Sequence, residues 1–434
     1  MKIIELNERT KKEVLEHLAS RGAKDYSPFL EPVESILAAV KERKDAALFE
    51  FTERFDHFAL DEASLRVSKE EMEAACGQVG EELMRVIRAS ADNIRRFHEK
   101  QLRESWMDAS RPGMILGQRM TPLGSAGVYV PGGKAAYPSS VLMNVIPAKV
   151  AGVERIVMVT PPGRDGSIAA NVLAAAAVCG VDEVYRVGGA QAIGALAYGT
   201  ESIKRVDKIT GPGNIYVALA KRSVFGYVGL DSIAGPSEIT VLADETANPA
   251  FVAADMISQA EHDEMASAVL VTTSRTLAEQ VESELHRQTD LLSRKDIISK
   301  SLDSFGMLLV ADSMETAIDA VDAIAPEHLE IQTRDPFETM TMVRNAGAIF
   351  LGAYSSEPLG DYYAGPNHIL PTSGTARFFS PLTVDDFMKK SSIIYYSRQE
   401  LEKVHEDIEA FAEAEGLTGH ANSVRIRFNQ GGRV

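Results

Sequence analysis

The chain has 434 residues, 45% of them hydrophobic and 25% charged, which is the composition of an ordinary globular protein with enough length for about two to four domains. Its net charge of −17 argues against nucleic-acid binding, because a duplex is held by a basic face that displaces counterions. Two cysteines, Cys76 and Cys179, exclude a disulfide framework.

The start, residues 1–22, is charged and lacks the apolar centre of a signal peptide, and it reads as a helical arm. Apolar residues at helical spacing predict helices over Glu31–Phe51 and Lys69–Gln101. His17, His57 and His98 lie there among charges and are expected to be solvated. The most apolar long stretch, Ile168–Val181, is too short to span a bilayer, so no membrane segment is expected and a cytoplasmic location follows as the default.

From about Gly127 the pattern becomes α/β. Strands are predicted at 155–163, 183–189 and 206–213. They alternate with helices at 168–179, Ala190–Tyr198 and one opening near Asn214. A second run follows, with helices at Pro249–Glu261, 275–287, 314–324 and 336–346 and strands at Ala268–Thr272, 307–311 and Ala348–Gly352. Such alternation implies right-handed crossovers and parallel sheets. The reading is two open, mostly parallel, incomplete Rossmann-like modules, the first inserted in the second. The main domain covers 23–128 and 239–380 and the inserted one 129–238. A tail, 381–434, carries a β-like segment at Ser392–Tyr396 and a helix at Gln399–Glu415.

Three glycine-bearing strand ends stand out: Gly127-Val-Tyr-Val-Pro-Gly-Gly-Lys134, Gly188-Gly-Ala-Gln191 and Gly211-Pro-Gly-Asn214. Glycines there let a backbone approach a phosphate, and a helix N-terminus favours its negative charge. The full Gly-x-Gly-x-x-Gly fingerprint is missing, since Tyr216 occupies its last position. Glycines serving tight turns alone would explain these segments equally well.

Four of the nine histidines sit beside carboxylates, amides or turn glycines. They are His262 in Ser-Gln-Ala-Glu-His-Asp, His328 in Ala-Pro-Glu-His-Leu, His368 closing Gly-Asp-Tyr-Tyr-Ala-Gly-Pro-Asn-His, and His420 in Gly-Leu-Thr-Gly-His. Gln259 and His262, three apart on a predicted helix, share a face as a two-ligand clip would. The spacing is not that of a zincin. With no cysteine ligand in view, a nitrogen and oxygen site for zinc, manganese or cobalt is indicated, leaving Glu327 and His328 for proton transfer. Taken singly, each of these residues also fits a solvated or turn position.

Together these segments resemble histidinol dehydrogenase, in order and over nearly the whole chain. The resemblance implies two successive NAD-linked oxidations, of L-histidinol to the aldehyde and then to L-histidine. It implies zinc, with manganese as a possible substitute, held by Gln259, His262, Asp361 and His420, and acid–base work by Glu327 and His328. It implies NAD contacts from Tyr129, Gln191 and Asn214 in the inserted domain. Ser237, His368 and Glu415 would join the metal ligands and the Glu327–His328 pair around histidinol. It also implies a homodimer whose C-terminal tail reaches the neighbouring site. Rival readings are a thiol-dependent aldehyde dehydrogenase, a zinc hydrolase without NAD, and a non-catalytic NAD-binding protein. The first needs a reactive cysteine, but Cys76 lies in a helical pattern and Cys179 ends an Ala-rich helix.

Overall fold

The computed structural model describes residues 1–21, 27–132, 137–232 and 235–428. The chain forms two compact units, one of residues 1–101 and 123–387, the other of 102–122 and 388–434.

The larger unit holds two six-stranded sheets. In one, the order is Arg66–Val67, Glu183–Arg186, Arg155–Thr160, Ser125–Tyr129, Lys208–Thr210, Gly229–Leu230, all parallel except the first pair. In the other it is Lys2–Glu5, Gly306–Val310, Ser267–Thr272, Glu238–Ala243, His328–Gln332, Ala348–Leu351, and every pairing is parallel. The expected α/β architecture with mostly parallel sheets is therefore present. Buried runs such as Glu238–Ala243 face apolar layers on both sides. Ile239 and Val241 pack with the helices Pro249–Ala260 and Arg275–Thr289, while Leu242 packs toward Met307 and the helix Met314–Ile324.

Several local expectations change. The first residues are not only a helical arm: Lys2–Glu5 is an edge strand of the second sheet, and the helix Glu8–Ala19 follows it. The helix expected over 31–51 is two, Ser27–Arg43 and Asp45–Asp56, broken where Lys44 adopts φ 54°. The helix expected over 69–101 is also two, Lys69–Gln78 and Glu81–Glu99, parted at Val79 and Gly80. His98 is buried, not solvated. Its Nδ1 lies 2.8 Å from the Ile94 carbonyl, and Asn367 Nδ2 approaches its Nε2 at 3.4 Å.

The smaller unit pairs strands Trp106–Asp108, Met114–Pro122 and Met388–Tyr396 into an antiparallel sheet, followed by helices Arg398–Glu402, His405–Ala414 and Thr418–Arg425. Residues 102–122, grouped above with the main domain, thus belong with the tail. The tail's strand is longer than expected and its helix is two.

One buried ion pair shapes a turn of the first sheet. Lys221 Nζ lies 2.5 Å from Asp231 Oδ1 and donates to the Gly211 carbonyl at 3.0 Å, while the Gly211 N–H donates to Asp231 Oδ2 at 2.8 Å. Gly211 itself has φ 105°, and a Cβ there would strike the Tyr129 carbonyl oxygen. Both side chains of the pair are buried. Lys221→Met strands Asp231 as a buried charge and is expected to cost about 3–5 kcal/mol. Urea unfolding measures it; an unchanged midpoint would show that the pair contributes nothing.

Candidate functional site

A cavity of about 280 Å³ opens in the larger unit where the strand order of both sheets reverses. From the first sheet it takes Pro131, Pro212 and Gly213, just past the carboxyl ends of strands Ser125–Tyr129 and Lys208–Thr210. Such a divergence of neighbouring parallel strands is where open α/β sheets bind ligands. From the second sheet it takes Ser237, Glu327 and His328, at the amino ends of strands Glu238–Ala243 and His328–Gln332. Gln259, His262, Asp361 and His368 complete the wall. Seven residues singled out from the sequence therefore line one cavity.

Glu327 and His328 are both buried. Glu327 Oε2 accepts the Glu238 N–H at 2.9 Å. His328 Nδ1 lies 3.1 Å from the Glu238 carbonyl oxygen, so Nδ1–H donates there and Nε2 is left toward the cavity. That Nε2 has no hydrogen-bond partner, and Asp361 Oδ1 stands 3.7 Å away. Burial pushes the Glu327 carboxyl up to about 8, with His328 opposing and Glu238 adding to the rise. Burial alone would lower His328, but the charges of Glu327 and Asp361 raise it to about 10.

Asp361 sits in a π-helical turn, Gly360–Ala364, that follows the short helix Glu357–Leu359. The helix Glu81–Glu99 holds this turn from behind. Ser90 Oγ donates to the Tyr362 carbonyl at 2.7 Å and Asn93 Nδ2 to the Tyr363 carbonyl at 2.8 Å. Gly360 is required because a Cβ would lie 2.6 Å from the Phe350 ring. Burial works to raise Asp361, but His328 and His368 hold it below the usual carboxylate range.

The structure adds a residue that the sequence reading missed. His262, Glu357 and Asp361 present ligand atoms within 4.8 Å of one another. Glu357 is buried, takes the Glu330 carboxylate on its backbone N–H at 2.9 Å, and receives the Ser258 hydroxyl at 3.2 Å. Burial, then the charge of Asp361, pushes it up to about 8. Its spacing of four from Asp361 was the available signal. Gln259 is fully buried, and neither its amide oxygen nor its amide nitrogen has a partner. A buried amide left so is costly without a ligand, so this donor set fits a divalent cation.

The three residues expected at a nucleotide lie along the first sheet. Tyr129 is buried at a strand end and its hydroxyl accepts the Gly189 N–H at 3.1 Å; burial pushes its phenol up to about 12. Gln191 is buried near the start of the helix Gly189–Tyr198, and its Oε1 has no partner. Asn214 is exposed and caps the helix Ile215–Val224, its Oδ1 accepting the N–H groups of Tyr216 and Val217. Orphaned Gln191 and glycine turns of this kind suit a ligand that approaches the backbone closely. Gly133 and Lys134 of the first glycine segment lie outside the described residues.

Glu415 and His420 belong to the smaller unit, exposed at the end of the helix His405–Ala414 and on the helix Thr418–Arg425. Neither cysteine lines the cavity. Cys179 is buried, which pushes its thiol up to about 12, and Cys76 Sγ donates to the Met72 carbonyl at 3.7 Å. These are the environments of structural thiols.

A sequence model of histidinol dehydrogenase matches residues 19–428. The chain is 57% identical over 399 residues to the histidinol dehydrogenase of Geobacillus kaustophilus, covering 92% of this chain and 94% of that one. It is 58% identical over 395 residues to that of Halalkalibacterium halodurans, covering 91% and 93%. The crystal structure of histidinol dehydrogenase from Elizabethkingia anophelis superposes with a TM-score of 0.92 at 36% identity, covering 98% of each chain. The chain belongs to the histidinol dehydrogenase family and is an oxidoreductase.

Proposed function

We propose that this protein oxidises L-histidinol through the aldehyde to L-histidine, reducing two NAD⁺ in turn at one zinc-dependent site. The observation that carries the reading is one cavity holding three kinds of group: an orphaned amide with a carboxylate–imidazole cluster, a buried Glu–His pair, and the diverging strand ends of a parallel sheet. Gln259, His262 and Asp361 would hold the cation, with Glu357 beside them and His420 as the remaining ligand. Tyr129, Gln191 and Asn214 would hold NAD on the first sheet, read as an inserted Rossmann-like module. Ser237, His368 and Glu415 would contact the substrate. When bound, the cation would orient the substrate's amine and imidazole nitrogens, and the nicotinamide would accept hydride.

The residues of the chain handle the protons. His328 takes the proton of the substrate hydroxyl as the first C–H bond is broken. Asp361 is one of three carboxylates, with Glu327 and Glu357, that favour the imidazolium. As a metal ligand Asp361 would favour it less, which would leave His328 able to accept a proton. The aldehyde must next be hydrated before it can lose a second hydride. Glu327, adjacent and with its carboxyl raised toward neutrality, removes a proton from the attacking water.

Glu415 and His420 are read as coming from the partner subunit of a symmetric homodimer. No helix among the described residues is long and apolar enough to cross a membrane, and a cytoplasmic site of action fits the reading.

Turnover of L-histidinol with NAD⁺ is the direct test, with two NADH expected per histidine. Metal analysis after dialysis tests the ligands: His262→Asn is expected to lose at least ten-fold in affinity for zinc. Wild-type zinc retention would remove His262 from the site.

Single-turnover NADH formation from histidinol and from histidinal separates the two oxidations. Glu327→Gln is expected to slow the aldehyde step by about 10²–10⁴-fold and the alcohol step less, whereas His328→Asn slows both. Equal losses in both steps for Glu327→Gln would reject its role toward water.

Mixing inactive His262→Asn and His420→Asn chains tests the tail. If tails are exchanged, one site of each hybrid dimer is intact and activity returns to about half that of a wild-type dimer. Continued inactivity with hybrids demonstrated would place each tail on its own chain's site.

A further inference from the structure

We infer that Arg21 and Glu238, neither of which lines the cavity, are positioning residues that hold the Glu327–His328 pair in its working orientation. The inference rests on the acid–base reading of that pair.

Glu238 opens its strand one step before the ladder with His328–Gln332 begins, since the first paired residues are Ile239 and His328. At that step the side chains of the neighbouring strand replace the ladder. The Glu238 N–H donates to Glu327 Oε2 at 2.9 Å, and the Glu238 carbonyl receives His328 Nδ1 at 3.1 Å. One residue therefore fixes both groups, and its carbonyl selects which imidazole nitrogen faces the substrate. The N–H and the carbonyl belong to the two peptide groups that flank the Glu238 Cα, so a rotation or shift of this residue's backbone would displace both groups, and misplacement by about 1 Å can cost about 100-fold in rate.

What prevents that rotation is the Glu238 side chain. Oε2 accepts Arg21 Nη2 at 2.7 Å, and Oε1 accepts the Ser373 N–H. Arg21 also reaches the Ser237 and Met265 carbonyls at 3.3 and 3.4 Å, just before the starts of the neighbouring strands Glu238–Ala243 and Ser267–Thr272. The side chains of Arg21 and Glu238 are 1% and 4% exposed, so water cannot substitute for either. Ser373 is itself held at φ 57°, beside the cavity-lining Thr372. A carboxylate supplies one oxygen to each donor. A carboxamide supplies only one acceptor for two donors, so even Gln breaks the clamp.

A buried ion pair often serves stability alone, and replacement of both charges can then be harmless. The test must therefore read coupling to the catalytic pair. Glu238→Gln is made in the parent and in the His328→Asn background, and Arg21→Met/Glu238→Gln, which removes both charges, is the variant that guards against misfolding. Arg21→Lys serves as the conservative replacement. Steady-state kinetics with L-histidinol and NAD⁺ are measured beside metal content and thermal unfolding. In the parent, Glu238→Gln and the double variant are expected to lower kcat about 10–100-fold, with KM for histidinol within about three-fold and metal content unchanged. Arg21→Lys should lose less than the Arg21→Met/Glu238→Gln double variant. In the His328→Asn background, Glu238→Gln should cost the alcohol oxidation, read as the first NADH formed from histidinol, less than about three-fold further, because the group it positions for that step is gone. A kcat within two-fold of the parent in the folded double variant would overturn the inference. So would an equal fold-loss in both backgrounds, the mark of a purely structural role. Full activity of His328→Asn alone would instead sink the acid–base reading, and this inference with it.

Discussion

Three buried carboxyl groups lie close together, Glu327 and Asp361 lining the cavity and Glu357 beside Asp361, and the arrangement around them follows from the cost of burying like charges together. Desolvation makes each prefer its neutral form, and each neighbour's charge adds to that preference. The chain answers differently at each. Asp361 is held ionised by two imidazoles, while Glu327 and Glu357 are pushed up to about 8. A set of acids with unlike proton affinities in one place is what separates a metal ligand from a proton carrier. A divalent cation would relieve the repulsion that remains, which is why the orphaned amide of Gln259 beside them matters.

Holding these groups requires backbone geometry that the ordinary ladder does not provide. The π turn at Gly360–Ala364 leaves carbonyls that no helical bond satisfies in the usual way, and Ser90 and Asn93 donate to two of them. Gly365, at φ 115°, lets that turn pass close to Asn93, whose carbonyl oxygen would lie 2.7 Å from a Cβ. Packing by the distant helix Glu81–Glu99 thus reaches Asp361 through hydrogen bonds, and the buried His98–Asn367 contact reaches His368 in the same way. Residues from the first hundred therefore shape a cavity whose lining side chains come from positions 131 to 372.

Much of this was legible in the sequence. Buried β-branched runs ending in glycine turns revealed strands such as Arg155–Thr160, and helical spacing placed Gln259 and His262 on one face. The helix Pro138–Ala151 was not legible, because it is apolar nearly all round and so has no period to detect. The strands Lys2–Glu5, Glu238–Ala243 and His328–Gln332 were hidden by their charged or polar ends; of these end residues, His328 lines the cavity and Glu238 holds the Glu327–His328 pair. Lys44 looked like helix, and its positive φ is imposed by tertiary context, where its Nζ reaches the Gly199 carbonyl at 3.1 Å. Glu357 was missed because a glutamate before proline reads as an exposed helix start. Its burial comes from tertiary packing, with the Glu330 carboxylate accepting its N–H and the Ser258 hydroxyl of the helix Pro249–Ala260 donating to its side chain.

Sheet polarity accounts for the division of labour within the cavity. At the carboxyl ends of parallel strands, glycine turns lead into helix N-termini, whose unpaired N–H groups favour anions. The first sheet offers that end. The second offers its amino ends, where the first N–H of a strand lacks a ladder partner and needs an acceptor. Acidic side chains supply it here, as Glu327 does for Glu238. Recruiting carboxylates to finish a sheet concentrates negative charge at that edge, which suits a cation and an amine-bearing substrate. The proposed phosphate-bearing cofactor and cationic substrate would then meet in one cavity, each at the sheet end whose unsatisfied backbone groups favour its charge, although the protein's net charge is −17.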